Sequence, residues 1–321
     1  MATSGSTNYS VDRDEIITAA LKLCGILGEG TTANSNQLAD NAVYLNMLIK
    51  SWSKDLLLHA QDEIVVFPVK NQSVYGLGGA SADRACLISE LIQTELSSDH
   101  SASATTITCD DTTGMAASDV IGVQTDDDGI SWSTISSVDS STQLTIASGI
   151  SSTAATDKNV YTYTNVYTYR PLDISFAQRK LDDLSYVPVN IYSHKEYKYL
   201  PDRTTNGPIL NVYYDPQLSE GQLYVWQVPD DSYTDQLLYL TVHRVVEDFD
   251  SASDSVDLPQ EWYLALTYNL AKYGPGVSLG TSDSKYKRLA GLAKELYDDL
   301  LAWDAEHGSI YLQPANEHHR L

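Results

Sequence analysis

Apolar residues recur at helical spacing near both ends of the chain and alternate with polar ones through its middle. Ile16, Ala20, Leu23 and Leu27 return every three or four positions, which predicts a first helix. Ser10 is its expected cap, with Asp12, Asp14 and Glu15 at the positive end of the dipole and Gly28 and Gly30 beyond its end. Leu38, Ala42, Leu45, Ile49 and Trp52 step by 4, 3, 4 and 3 and predict a second helix, capped at Asn34 or Ser35 and paired with the first as a hairpin. Pro259 in "DLPQEW" marks a helix start, and the run to Tyr273 is apolar nearly all round, as a buried central helix would be. "GPG" at 274–276 breaks it. A last helix carries Tyr286, Leu289, Ala293, Leu296, Leu300 and Trp303 in one stripe, pairs with the second helix by that stripe, and stops at Gly308.

Between these ends the period changes to two. "IVVFPV", "VYTYRPLDI", "PVNIYS", "ILNVYY", "QLYVWQV" and "LLYLTVHRVV" read as strands, and "SFAQRKLDDL" as a short helix. "CLISELIQTEL" is open between strand and helix. From Ser98 to about Val160 the composition shifts to Ser, Thr, Ala and Asp, with no Glu, no Arg and a single Lys, Lys158. "TTITC", "DVIGVQT", "ISWSTI", "QLTIA" and "NVYTY" alternate at regular spacing, the pattern of a small Ig-like sandwich. "TDDDGIS" reads as a hairpin turn in which Asp128-Gly129 supplies positive φ, because its contiguous acids do not fit a calcium loop. The expected fold class is therefore α+β: a helical bundle from both chain ends, a central β region and an inserted all-β sandwich. The expected organisation is a core of residues 1–97 and 166–307, an inserted module at 98–165 and an extended tail at 308–321.

Charge narrows the function classes. Forty-three acidic residues against 20 basic leave a net charge of −23, which repels nucleic acid and anionic membrane. Twenty-two tyrosines against three phenylalanines suit half-buried strands and protein interfaces. The one basic cluster, Lys285, Lys287, Arg288 and Lys294, is better suited to carboxylate partners than to phosphate. The start, "MATSGSTNYSVDRDE", has no apolar signal core, so synthesis in the cytoplasm is expected. Cys24, Cys86 and Cys109 are far apart and read as reduced, buried thiols. "GLGGAS" lacks the order of a phosphate loop, and none of the seven histidines lies in a metalloprotease or nucleophile-elbow motif. No catalytic, cofactor or metal constellation emerges, so the chain is not expected to be an enzyme.

The order of segments carries a resemblance. "PVKNQSVYGLG", "RPLDI", "YSHKEY", "YYDP", "LYVWQVP" and "HRVVEDFDSASDSVDLPQEW", flanked by helix pairs and ended by "SIYLQP", are similar to the head-to-tail adaptors of short-tailed phages, also called tail accessory factors or head completion proteins. The inserted module departs from the smaller members of that family. The resemblance implies a structural virion protein at the neck between head and tail. It implies a twelve-subunit ring under the portal protein that closes the DNA-filled head, lets DNA pass through its lumen and offers a platform to tail nozzle or needle proteins. It places Trp52, Trp262, Tyr286 and Trp303 on the helices that build the ring wall and meet its neighbours. It makes Ile310, Tyr311, Leu312, Gln313 and Pro314 the portal-binding tail. Two alternatives stand beside this reading: another tail or capsid decoration protein that works through the β module, and a cell-wall glycosidase.

Overall fold

The computed structural model describes residues 5–56, 60–78, 84–127, 129–164, 169–181, 185–275 and 283–304. Helices α1 (Arg13–Cys24) and α2 (Ser35–Trp52) come first, then strands β1 (Gln61–Val66), β2 (Val74–Leu77), β3 (Ala85–Leu87) and β4 (Ile92–Glu95). Next follow β5 (Thr106–Thr108), β6 (Val120–Gln124), β7 (Ile130–Ser140), β8 (Gln143–Ile146) and β9 (Asn159–Tyr163). The chain continues with β10 (Asp173–Lys180), β11 (Tyr186–Pro188), β12 (Asn190–Ile191) and α3 (His194–Tyr199). Strands β13 (Asn211–Pro216), β14 (Gly221–Trp226) and β15 (Leu238–His243) precede the last helices, α4 (Trp262–Tyr273) and α5 (Ser284–Trp303).

These elements correct the α+β expectation of a helical bundle made from both chain ends. Among the described residues the fold is mostly β, with fifteen strands in three sheets and five α-helices. All but two strands run six residues or fewer. Segments so short carry little periodic signal, whereas helices of three to five turns repeat theirs, so a pattern reading weights the helices too heavily. "SFAQRKLDDL" shows the same error in one place. Its first six residues belong to β10, where the pairing with β15 shifts between Ile174 and Phe176. That bulge leaves Ser175 and Phe176 both exposed, so the alternation that marks a strand is broken.

The chain divides into two compact units, residues 61–245 and the described parts of 1–60 with 246–321. In the first, a five-stranded sheet runs β11-β10-β15-β1-β3 and a four-stranded one β12-β13-β14-β2. Ile64, Val66, Leu238, Leu240 and Val242 of the former pack on Tyr75, Leu77, Val212, Leu223 and Val225 of the latter. The alternate residues Val65, Phe67 and Tyr239 face the other way and meet Val120, Tyr161 and Tyr163. Buried on both faces, the runs at 64–67 and 237–240 are apolar without interruption.

The third sheet has six strands in the order β4-β9-β6-β7-β8-β5. All five runs predicted within 98–160 are strands of it, and β4 joins them from outside that span. The Ig-like sandwich is corrected, however, because the strands form one curled sheet. Its edges meet: Ser97 N–H donates to Thr108 O at 3.1 Å and Asp110 N–H to Glu95 O at 3.0 Å. Edge closure removes unpaired backbone groups and encloses Leu96, Ile107, Ile121, Val123, Leu144 and Val160. The predicted turn does join β6 to β7, but Gly129 is not at positive φ. Thr125 closes the turn instead, its N–H donating to Gly129 O at 2.8 Å. Asp128 lies outside the described residues.

The second unit holds α1, α2, α4 and α5 around one apolar core centred on Trp262, Leu266 and Leu270. Asp12, not Ser10, caps α1: it accepts from Glu15 N–H at 2.8 Å, while Glu15 accepts from Asp12 N–H at 3.2 Å. Asn34 caps α2 in the same reciprocal way with Gln37. Helix α4 begins at Trp262, just past Pro259, and α5 ends at Trp303, short of Gly308. Asn269 is buried on α4 and donates to Ala293 O of α5 at 2.9 Å, which fixes the register between the two.

Candidate docking surface

The helix-rich unit carries an open groove of about 1220 Å³ between α1 and α4. It exists because α1 buries Ile16, Ile17, Ala20, Leu21 and Cys24 and turns Leu23, with Leu27 just past its end, toward the opening. Tyr263, Leu264, Thr267 and Tyr268 of α4 form the opposite wall, and Leu38 of α2 contributes from one end. Tyr9 stands against Tyr263 with ring centroids 6.2 Å apart. Leu264 is 57% exposed although it sits on the most buried helix of the unit. The apolar floor is ringed by Asp12, Asp14, Glu15 and Glu29, against which Lys22 is the only cation among the described lining residues. Asp14 pairs with Arg13 at 2.9 Å, and Asp12 and Glu15 are held in place by the capping box.

Two further faces of this unit point outward. On α2, Val43, Tyr44 and Met47 form a second apolar stripe opposite the buried one, with Met47 64% exposed. On α5, Lys287, Arg288, Gly291, Leu292 and Lys294 are exposed, and Lys294 pairs with Asp298 one turn on. The neighbouring Lys285 is committed inward: its ammonium donates to Cys24 O, at the end of α1, at 3.0 Å.

The sequence-predicted residues divide among these places. Trp52 and Trp262 are core side chains, 5.8 Å apart between ring centroids, and Trp52 stacks on Tyr297 at 4.7 Å. Tyr286 is half-buried on α5, and Trp303, at the end of α5, is 51% exposed. Helix α5 packs mainly on α4 rather than on α2. Ile310, Tyr311, Leu312, Gln313 and Pro314 lie outside the described residues. Val43, Tyr44 and Met47 belong to no predicted stripe, although their spacing makes a readable second one on the same helix as the face from Leu38 to Trp52. The groove had no such signal, since Leu23 and Leu264 are brought together only by packing.

Among the described residues no group of three or more His, Cys, Asp and Glu stands where it could hold a metal ion. The three cysteines are buried and unpaired with one another, and burial pushes Cys86 and Cys109 up to about 12. Two histidines take structural contacts: His194 Nδ1 lies 2.8 Å from Tyr213 OH, and His100 Nε2 lies 3.1 Å from Thr108 Oγ1. No described helix is long and apolar enough to cross a membrane. A comparison with protein-family models finds no match to the chain, and a comparison with curated proteins finds none either.

Proposed function

We propose that this chain is a structural virion protein, a head-to-tail adaptor whose copies form a ring beneath a portal protein and carry the tail nozzle or needle. The observation that carries the reading is the amount of apolar surface left outward on one small unit: the α1–α4 groove, the Val43–Tyr44–Met47 stripe and Leu292. Monomeric proteins seldom expose several such patches. A ring subunit needs them, because it touches two lateral neighbours and a platform above or below. The segment order gives independent support. "YYDP" and "LYVW" are neighbouring antiparallel strands, β13 and β14, and "DLPQEW" leads into α4. A net charge of −23 suits a lumen through which duplex DNA slides without adhering. In this reading the tail at 308–321 docks on the portal through Ile310, Tyr311 and Leu312.

The test is binding of the purified chain to purified portal rings, read by sedimentation and electron microscopy. The intact chain is expected to decorate portal rings, and a chain lacking residues 309–321 to fold but leave them bare. Failure of the intact chain to bind any portal ring encoded beside it would sink the adaptor role. Normal occupancy by the truncated chain would sink the role given to the tail.

A further inference from the structure

We propose that the acidic groove between α1 and α4 receives the amino-terminal half of α5 from a second copy of this chain; the inference deepens the ring reading above and rests on it. The argument starts from charge. A chain of net −23 repels its own copies, so a lateral contact between them has to be built where opposite charges face each other. The groove supplies one half of such a pair, with four carboxylates around an apolar floor against Lys22 and the Arg13 that pairs with Asp14. The first half of α5 supplies the other. Lys287 and Arg288 are exposed there, and Leu292, 40% exposed, lies one turn from Arg288 on the same face. An apolar side chain beside a cation matches an apolar floor edged by acids, and a helix laid in a groove is a common way to join the two.

The α5 face is also held ready. Lys285 ties its first turn to Cys24 O, Asn269 ties its middle to α4, and Tyr297 OH donates to Asp55 at 2.9 Å near its end. Little ordering is left to be done at the moment of contact, which favours affinity. Groove and α5 face are different surfaces, so each copy offers one of each. Such a contact is head-to-tail, and a head-to-tail contact whose rotation closes generates a ring.

Sedimentation velocity on the full chain tests this with four substitutions at exposed positions: Arg288→Glu and Leu292→Asp on α5, Glu29→Arg and Leu264→Asp at the groove. Circular dichroism checks that each variant is folded, and the capping acids Asp12 and Glu15 are left alone. The wild-type chain is expected to self-associate, and more weakly as salt rises. Each single variant should weaken association by about tenfold or more. The decisive sample mixes Arg288→Glu with Leu264→Asp. One keeps an intact groove and the other an intact α5 face, so the mixture should form dimers and stop there. The double variant Glu29→Arg/Arg288→Glu should recover part of the lost association. A wild-type chain that stays monomeric, variants that associate as the wild type does, or a mixture that fails to pair would each overturn the inference. Rings that still bind portals in the Arg288→Glu variant would overturn it while leaving the adaptor reading intact. Groove-dependent self-association without any portal binding would uphold it and sink that reading.

Discussion

Tyrosine does much of the work that phenylalanine does elsewhere, and the reason lies in its hydroxyl. Tyr75 and Tyr214 fill the space between two sheets, yet each finds a backbone partner: Tyr75 OH accepts from Val69 N–H at 2.9 Å, and Tyr214 OH donates to Pro171 O at 2.6 Å. Burial pushes Tyr163 and Tyr239 up to about 12; the Arg84 guanidinium offsets part of this at Tyr163, whereas Tyr186 and Cys86 add to it at Tyr239. In the unfolded chain both lose their protons near pH 10. Between about 10 and 12 the folded state therefore holds more protons than the unfolded one, so stability falls as pH rises through that window. Absorbance at 295 nm should show Tyr163 and Tyr239 ionising only near pH 12 or together with unfolding. A single class of tyrosines titrating near pH 10, with the circular dichroism still native, would contradict this account.

At the level of elements, helix ends are decided by short polar side chains. Asn34 Oδ1 accepts from Gln37 N–H at 2.9 Å, and Gln37 Oε1 accepts from Asn34 N–H at 3.1 Å, so two otherwise unpaired donors of α2 are met. Asn34→Ala should cost about 1 kcal/mol, read as a lowered Tm by calorimetry. Ser10→Ala should cost almost nothing, because Asp12 holds the cap of α1. Equal losses for the two substitutions would refute the cap assignment. Strands show a parallel local logic in the curled sheet. Gly122 faces Trp132 across the β6–β7 pair, and a Cβ there would fall 2.7 Å from the indole. The ring instead lies over the bare backbone and packs against Phe67 and Tyr163.

For the molecule as a whole, the informative feature is where the β unit begins and ends. Gln61, its first residue, is register partner to His243, close to its last. The chain thus leaves the helix-rich unit and returns at neighbouring positions, as an inserted domain does. Residues 61–245 expressed alone should fold into a protein with a strand-dominated circular dichroism spectrum and a cooperative melt. A fragment that stays unfolded at every temperature would show that the two units are not independent.

Local pattern alone determined where most elements lie. It located the five strands of the 98–160 stretch and the stripe from Leu38 to Trp52, and narrowed the cap of α2 to Asn34 or Ser35, because side-chain period and cap chemistry are set within a few residues. It also carried part of the candidate site, in Val43, Tyr44 and Met47 and in the α5 cations. Only the tertiary structure decided how the strands associate and what the helices leave open. Alternation is the same in a sandwich as in a curled sheet; the difference rests on backbone bonds such as Ser97 to Thr108, which no periodicity records. The groove likewise joins Leu23 to Leu264 across most of the chain. Its shape depends on which apolar faces α1 and α4 spend on each other, a matter of packing that neither helix encodes by itself.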